Sequence, residues 1–466
     1  MTAVLHVLNY LILVYFFAIN TVYSVLLAVS FRESGRHSRR LAYGGFDAAF
    51  HSPLTLPVSV LMPAYNEAAT IVAAVDALRQ LEYGEYEIVV IDDGSTDDTL
   101  ALLIDAFGME RIERPVRRTI PCEALRGVYV SPQVANLTVV SKANGGKADA
   151  LNAGVDVARY PLFCAIDADA ILAGDALLHV VKPFMERPQE TMASSGIVRV
   201  ANGCRVEGGR IVEIGLPQSY LGRLQSVEYL RAFLSSRTGW SRLRSLFVIS
   251  GAFGVFRKEA VLDIGGYRRD TVGEDMDLVL RLHRRCRERK QRYRIVFIPD
   301  PVVWTEVPED LATLRRQRNR WHRGLLECLS ASRSMIGRVR YGPVGLLGLP
   351  YNVLFEVMGP LIEVAGYVLL VVTIVFGSAS GWFIALFFLL AVGYGVFLSV
   401  ASLLLDQMRL SAYGRRRDLA LLVGYAVLEN LGYRQLQALW RVQATWDFLR
   451  HKSGWGEMKR KGFRGA

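Results

Sequence analysis

Two aspartates one residue apart follow a short apolar run and offer a site for a divalent cation. The run covers residues 162–166 and the pair is Asp167-Ala-Asp169. In an extended chain these side chains leave on the same side, where the chain ends a predicted strand. Their oxygens suit Mg²⁺ or Mn²⁺ bridging two phosphates. The alternative is a solvated turn, although an uncompensated charge pair that closes a buried strand would be costly.

Two further polar segments are placed to bind a nucleotide. Asp92-Asp93-Gly94 follows one apolar run, and Asn144-Gly-Gly-Lys147 follows the next. Asp93 could accept a hydrogen bond from a ribose hydroxyl or a base N–H, or it could simply cap the following helix. Lys147 offers a point charge to a nucleotide, because its surroundings lack the spacing of a Walker-type phosphate loop. The sequence leaves both interpretations of Asp93 open.

An acidic pair begins a predicted amphipathic helix. Glu274 and Asp275 precede the apolar positions Leu278, Val279 and Leu282, which leaves the two acids at the helix N-terminus. A carboxylate there can be the general base that deprotonates a hydroxyl. It can equally be a favourable partner of the helix dipole without a role in chemistry.

A third kind of chemistry is offered by the segment Gln317-Arg-Asn-Arg-Trp321, on a predicted helix. Arg320 can clamp a diphosphate through two parallel hydrogen bonds, and Trp321 can form an apolar platform for a sugar ring. The alternative is an amphipathic helix at a membrane surface. One helix can serve both purposes.

The elements that must position these residues alternate between strands and helices. They are β-branched runs at 58–62, 87–92, 137–141 and 162–167, and amphipathic stretches near 67–81, 96–107 and 147–158. Repeated strand–helix–strand units predict an α/β domain with a mostly parallel sheet that helices cover on both faces. Ligands of such sheets bind beyond the carboxyl ends of the strands, where the polar segments lie.

Composition indicates a membrane protein with a substantial water-facing domain, since 52% of the 466 residues are hydrophobic and 21% are charged. The formal net charge of +11 suits nucleic acid, anionic lipid or a phosphate-bearing substrate, and the apolar segments favour the last two. No recognisable nucleic-acid-binding module is present, so no nucleic-acid partner is expected. The five cysteines lack paired spacing, which predicts reduced thiols and no zinc site.

An apolar segment near the start of the chain predicts a membrane crossing. Residues 5–29 carry no charged side chain and are long enough to span a hydrocarbon core of about 30 Å. They are followed at once by Arg32, Arg36, Arg39 and Arg40. By the positive-inside rule, the N-terminus is expected outside and the α/β domain in the cytosol.

A second apolar region lies near the other end, where residues 342–376 and 382–405 form a predicted spanning hairpin. Polar residues interrupt 419–433, so an interfacial or re-entrant segment is slightly preferred to another crossing. Glu356 and Glu363 lie in or beside a span, where a carboxylate is costly unless it faces a protein interior or a polar path. A position at the membrane interface is an equally open alternative.

These patterns predict five regions in an integral, multi-pass inner-membrane protein. They are a transmembrane helix at 1–31, a basic cytosolic linker at 32–56, the α/β domain with interfacial helices at 57–330, a transmembrane and interfacial region at 331–449, and a basic cytosolic tail at 450–466.

Taken in this order, the polar segments resemble those of the processive, membrane-bound glycosyltransferase family 2 enzymes. That family includes cellulose, hyaluronan, chitin-oligosaccharide and poly-N-acetylglucosamine synthases. Gln317-Arg-Asn-Arg-Trp321 matches its Q-x-x-R-W signature, the most specific element of the resemblance. The resemblance implies a GT-A fold, a UDP-sugar donor, Mg²⁺ or Mn²⁺ as cofactor, and inverting transfer that makes a β-linked polymer.

The resemblance also implies roles for single residues. The implied donor-binding residues are Pro63, Tyr65, Glu67 and Asp93 around the uridine, with Lys147, Asp167, Gln317 and Arg320. Asp169 is the implied direct metal ligand, with Asp167 beside it. Asp275 resembles the catalytic base, next to Glu274, although Gly273 stands where many members have threonine. The implied acceptor site comprises Gly251, Ala252, Phe253, Gly254 and Trp321.

The expected function is processive sugar transfer to a growing polysaccharide, coupled to export across the bilayer. The layout of apolar segments resembles chitin-oligosaccharide and poly-N-acetylglucosamine synthases, which favours UDP-N-acetylglucosamine as donor, with UDP-glucose next. The lipid bilayer and envelope export proteins are the candidate partners beside donor and polymer. Two alternatives are a non-processive transferase that loads one sugar onto a lipid carrier, and a catalytically silent membrane subunit.

Overall fold

The fold begins with a long helix that leads into an α/β domain. The computed structural model describes residues 2–43, 55–377, 379–410 and 416–451. The strands are β1 Val58–Ala64, β2 Tyr86–Asp92, β3 Glu110–Ile112, β4 Leu125–Val130, β5 Leu137–Lys142, β6 Leu162–Ile166, β7 Ala170–Leu172, β8 Thr191–Val200, β9 Arg205–Glu207, β10 Arg210–Glu213, β11 Phe253–Arg257 and β12 Arg294–Thr305.

Helices connect the strands and dominate the C-terminal third of the chain. They are α1 Thr2–Tyr43, α2 Ile71–Arg79, α3 Thr99–Phe107, α4 Lys147–Val157, α5 Ala176–Glu186, α6 Tyr220–Tyr229, α7 Thr238–Arg242, α8 Lys258–Asp263, α9 Glu274–Glu288, α10 Leu311–Ala331, α11 Leu349–Tyr351, α12 Met358–Val375, α13 Gly381–Phe388, α14 Tyr394–Leu410, α15 Arg416–Leu428 and α16 Arg434–Leu449. π-Helical turns at Leu230–Arg237, Val344–Gly348, Asn352–Val357, Leu389–Gly393 and Glu429–Tyr433, and 3₁₀ turns at Arg333–Met335 and Val339–Tyr341, adjoin them.

The central sheet has the order β3-β4-β5-β2-β1-β6-β11-β8-β12-β7. Its centre, β5-β2-β1-β6, is parallel throughout, and β8 pairs in parallel with β12. The flanking strands pair antiparallel, so the whole sheet is mixed around a parallel core. Nearly every side chain of the central strands is buried, as expected of parallel strands that are covered on both faces. The predicted α/β class is confirmed.

Three helices of the described chain are long and apolar enough to cross a membrane. They are Val4–Arg39, Val344–Val375 and Gly381–Met408. The last two match the predicted hairpin. The first continues beyond the predicted boundary at residue 31, because α1 runs to Tyr43, so the predicted linker begins as helix. Residues 44–54 of that linker and 452–466 of the predicted tail lie outside the described residues.

The stretch 419–433 is broken by a kink. Helix α15 has 13 residues and is therefore about 20 Å long, which is short of a hydrocarbon core of about 30 Å. Leu431 and Gly432 depart from helical geometry, and the φ of 95° at Gly432 is a value that favours glycine. The stretch 419–433 is thus not one straight helix.

Polar contacts attach the membrane helices to the α/β domain. Arg199 on β8 forms an ion pair of 2.7 Å with Asp406 on α14, and both side chains are almost completely buried. Ser30 on α1 donates to the carbonyl oxygen of Leu234 at 2.7 Å. A buried ion pair is strongly destabilising to break, so these helices and the domain form one packed unit.

A cluster of alternating histidines and aspartates makes a further contact between α1 and the domain. His37 Nε2 lies 2.6 Å from Asp300 Oδ2, and His179 lies 3.4 Å from the same oxygen. The other nitrogen of His179 lies 3.1 Å from Asp175. Burial alone would lower the pKa of His179, but the two carboxylates outweigh it and raise this pKa to about 9.

We predict that His179→Gln lowers the thermal stability of the detergent-solubilised protein at pH 6 but not at pH 10. The folded pKa of His179 exceeds its ordinary value of about 6.5, so its stabilisation is complete below that value and is lost as the pH rises through about 9. The expected loss at pH 6 is about 1–3 kcal/mol. His451→Gln, at an exposed histidine, is the control. An equal loss at both pH values contradicts the assignment.

Candidate active site

One cavity at the edge of the sheet collects most of the residues predicted to do chemistry. Its volume is about 750 Å³, and it lies between the end of β6, the loop before β11, the start of α9 and one side of α10. The predicted residues that line it are Lys147, Asp167, Asp169, Gly251, Ala252, Glu274, Asp275, Gln317, Arg320 and Trp321. Segments far apart along the chain therefore converge on one space.

Lys147 links three of these segments. Its ammonium donates to Asp167 at the end of β6 and to the carbonyl oxygen of Gly251, the latter at 3.0 Å. The N–H of Gly251 in turn donates to Asp275 Oδ2 at 2.9 Å. A continuous chain of contacts therefore joins the predicted metal-binding carboxylate to the predicted base.

The charged side chains of the cavity change one another's pKa values. Burial and the adjacent Asp275 raise the pKa of Glu274 to about 7, although Lys147 acts in the opposite direction. Burial alone would lower the pKa of Lys147, but the surrounding carboxylates, with Asp167 first among them, raise it above its usual range. Glu274 is thus partly protonated near neutral pH, while Lys147 is a permanent cation.

Asp93 organises the loop that carries Lys147. It is 3% exposed and accepts from the Lys142 ammonium and from the N–H groups of Gly145 and Gly146. Burial raises the pKa of Asp93 above its usual range despite these donors. Helix α4 starts at the next residue, after Gly146 with a φ of 86°. The Asp93 carboxylate thus orders the loop that leads into α4 and Lys147.

The other predicted uridine residues lie beside this loop and outside the lining of the 750 Å³ cavity. Pro63 is the next-to-last residue of β1, and the Tyr65 side chain is 48% exposed. Glu67 accepts from its neighbour Thr70 at 3.1 Å. Their common position at the carboxyl ends of β1 and β2 places them next to Asp93 and at the edge of the site.

The loop predicted to touch an acceptor divides into two parts. Gly251 and Ala252 line the cavity. Phe253 is completely buried in the domain core, and Gly254 packs against Ile249 and Phe256. Phe253 and Gly254 belong to β11 and anchor the loop in the domain core.

Helix α10 presents the Q-x-x-R-W residues to the cavity. Gln317 is 8% exposed, and its Oε1 has no hydrogen-bond partner within the part of the chain that the structure describes. A buried acceptor without a donor is costly, so this atom is suited to meet a ligand. Trp321 is 43% exposed, which leaves its ring accessible to a sugar.

Several functional candidates were not predicted from the sequence. Arg237, in the π-helical turn after α6, lines the cavity, and its guanidinium carbon lies 3.9 Å from the centre of the Phe233 ring. Burial lowers the pKa of Arg237 to about 10, with Asp275 opposing this effect. Glu228 also lines the cavity and pairs with Arg318. Their only sequence signal is charge inside amphipathic stretches.

The carboxylates of Asp167 and Asp169 form a donor set that fits a small divalent cation. Among the described residues, no group of three or more histidine, cysteine or acidic side chains could hold a metal by itself. Mg²⁺ is typically held by one or two carboxylates and completed by substrate phosphates and water. Two hard oxygen donors that open onto a cavity meet that requirement.

The α/β fold carries a cavity lined by acidic, cationic and aromatic side chains, and comparison of the sequence specifies the family. A family model described as glycosyltransferase like family 2 matches residues 56–324, which is more than half of the chain. The chain therefore belongs to this family, and it is a glycosyltransferase.

Curated relatives include poly-beta-1,6-N-acetyl-D-glucosamine synthases of Staphylococcus epidermidis and Staphylococcus aureus. They are 29% and 30% identical over 272 residues, which covers 58% of this chain and 55% of each relative. The chain thus spans about half the length of the curated relatives it matches. A solved mannosyltransferase from Pyrobaculum calidifontis, in complex with GDP-Man and Mn²⁺, aligns with a TM-score of 0.51 and 20% identity, covering 92% of this chain and 100% of that chain. The GT-A type of fold is thereby confirmed.

We predict that Gly251→Ala lowers sugar transfer by about tenfold or more without unfolding the domain. An added Cβ would lie 3.0 Å from Lys147 Nζ and 3.4 Å from Asp275 Oδ2, so it would push the flexible ammonium away from its partners. Initial rates of transfer and thermal unfolding measure the two effects. Gly424→Ala is the control, since a Cβ there meets no described atom within 4 Å. Unchanged transfer by Gly251→Ala contradicts the role of this contact chain.

Proposed function

We propose that the chain is an inverting, processive glycosyltransferase that moves a sugar from a UDP-sugar to a growing β-linked polysaccharide. The convergence of acidic, cationic and aromatic side chains on one cavity carries this proposal. Transfer from a nucleotide diphosphate needs a site for a diphosphate, a general base and a surface for the acceptor. The residues around this cavity offer a candidate for each.

The diphosphate would lie against Lys147, Gln317 and Arg320. Lys147 supplies a permanent charge, Arg320 can clamp two oxygens, and Gln317 adds an amide. Asp167 and Asp169 would hold Mg²⁺ or Mn²⁺, and a bound cation offsets the negative charge that develops on the leaving group. Because Lys147 already contacts Asp167, diphosphate binding would rearrange this pair.

Asp275 is the proposed general base. Its Oδ2 accepts from the N–H of Gly251 at 2.9 Å and its Oδ1 from that of Met276 at 2.7 Å, which fixes the carboxylate at the cavity wall. The acceptor hydroxyl transfers its proton to Asp275 while its oxygen bonds to the anomeric carbon, and UDP departs with the electrons of the broken bond. Glu274 completes the acidic wall beside it.

The uridine is proposed to bind at Pro63, Tyr65, Glu67 and Asp93. The exposed ring of Tyr65 offers a stacking surface, and Asp93 holds the loop between this region and Lys147. The names of the curated relatives support N-acetylglucosamine as the transferred sugar. UDP-N-acetylglucosamine is therefore the favoured donor, with UDP-glucose next.

Export of the product is supported by a second cavity among the apolar helices. It has a volume of about 440 Å³ and shares a wall with the first cavity. The shared residues are Glu228, Ala232, Arg237, Val248, Met276 and Trp321. Glu356 and Glu363 line this second cavity, which supports the polar-path interpretation of these two carboxylates.

A growing polymer could thus pass from Trp321 directly into the space between the membrane helices. The three apolar helices and the arginines after residue 31 support a multi-pass inner-membrane protein whose catalytic domain is cytosolic. The proposed partners are the UDP-sugar, the polysaccharide, the lipid bilayer and envelope proteins that receive the polymer.

We predict that Asp275→Asn lowers turnover by about 10²- to 10⁴-fold and leaves the affinity for UDP nearly unchanged. The substitution removes the proton acceptor, whereas the proposed diphosphate contacts come from other residues. Release of UDP from a UDP-sugar and equilibrium binding of UDP measure the two quantities. Asp270→Asn, at an exposed aspartate, is the control. Retained turnover by Asp275→Asn rules out this base, and a silent subunit would show no turnover in the unmodified protein.

We predict that the purified protein in lipid releases UDP fastest from UDP-N-acetylglucosamine with Mg²⁺ or Mn²⁺. Asp169→Ala is expected to eliminate release with either cation, because it removes a ligand of the diphosphate-bound metal. Asp76→Ala, at an exposed aspartate of α2, should behave like the unmodified protein. Retained UDP release by Asp169→Ala contradicts the assignment of Asp169 as a metal ligand. A lipid-extractable monosaccharide product contradicts polymer synthesis and indicates transfer to a lipid carrier.

A further inference from the structure

Trp321 lies where the two cavities meet, and its ring lines both of them. A half-exposed indole is useful as a sugar platform only if its orientation is fixed, since a free side chain loses rotamer entropy when a ligand binds. The neighbours of Trp321 therefore decide how well it can serve an acceptor.

Arg318 provides such a neighbour, one helical turn before Trp321 on α10. Its guanidinium carbon lies 4.4 Å from the centre of the Trp321 ring, a distance typical of a stacked cation–π contact. Arg318 is only 5% exposed, so water does not compete for this contact. One face of the indole is thus occupied by protein.

Glu228 fixes Arg318 from the other side. Its Oε2 accepts from Arg318 at 2.9 Å, from Tyr433 at 3.1 Å and from Gln437 at 3.1 Å. These donors come from α10, from the kink after α15 and from α16. A buried charge pair is strongly destabilising when one partner is lost, so the cluster must form as a unit.

We propose that Arg318 is a positioning residue for the acceptor platform and that the C-terminal segment holds it through Glu228. Tyr433 and Gln437 lie beyond the family-matched residues 56–324. Through their hydrogen bonds to Glu228, the C-terminal segment would take part in acceptor binding as well as in helix packing. The inference rests on the proposed function, because that function supplies the acceptor sugar that Trp321 would bind. Arg318 acts through Trp321 and contacts no reacting atom.

The test separates acceptor binding from donor binding. Arg318→Met keeps an unbranched apolar side chain and removes the charge and the planar guanidinium that stacks on Trp321. With a short β-linked N-acetylglucosamine oligosaccharide as acceptor, its KM for the acceptor is expected to rise about fivefold or more, with shorter products. Its KM for UDP-N-acetylglucosamine should change by less than about twofold, since the diphosphate contacts lie elsewhere.

A matched control is available on the same helix. Arg315 is exposed and donates to Gln443 on α16 at 2.5 Å, but it does not line either cavity. Arg315→Met removes a contact of α10 with α16 and leaves Trp321 untouched, so its acceptor KM and product length should match those of the unmodified protein. Equal behaviour of Arg318→Met and Arg315→Met overturns the proposal.

Two further measurements keep the proposal testable. Should Arg318→Met fail to fold, Tyr433→Phe removes one donor to Glu228 and is expected to raise the acceptor KM about twofold; no rise overturns the proposal. Oxidative footprinting of Trp321 by mass spectrometry needs no turnover, and labelling should increase in Arg318→Met and not in Arg315→Met. If the unmodified protein releases no UDP from any UDP-sugar, the proposed function is wrong. The oxidative labelling of Trp321 in Arg318→Met then tests the positioning role of Arg318 by itself.

Discussion

The arrangement of the site depends on one ammonium group. Lys147 contacts the carboxylate of Asp167 and the carbonyl of Gly251, whose N–H binds Asp275. Without this cation, the carboxylates at the end of β6 and the start of α9 would lose the positive charge that joins these two segments. The loop held by Asp93 fixes where Lys147 begins α4. The sheet therefore fixes the acidic residues by fixing the position of Lys147, the cation that they share.

Much of this arrangement was predictable because its signals are local. The apolar runs that became β1, β2, β5 and β6 end at polar residues, and parallel strands bring such ends to one edge. The start of α9 at Glu274 was likewise visible in the spacing of apolar residues. A short stretch of sequence does not show which distant residue a side chain contacts. Arg318 meets Glu228, 90 residues away, and Lys142 meets Asp93, 49 residues away.

The predicted site residues differ in how deeply they are buried. Phe253 and Gly254 share the motif with Gly251 and Ala252, yet β11 lies between β6 and β8 and both residues are buried there, so they belong to the core. Asp93 was open to two interpretations, and its role within the chain is to order a loop. Proximity in sequence to a motif therefore does not determine whether a side chain reaches the ligand or supports the residue that does.

Contacts of the last helix determine the path of the chain near the membrane. Asp406, near the end of α14, pairs with Arg199 in the α/β domain, so the apolar hairpin returns to the side of the domain. Helix α16 contacts the domain side as well, through Gln443 to Arg315 on α10. The chain therefore contacts the domain side both before and after the stretch 419–433, and between these contacts it kinks at Leu431 and Gly432.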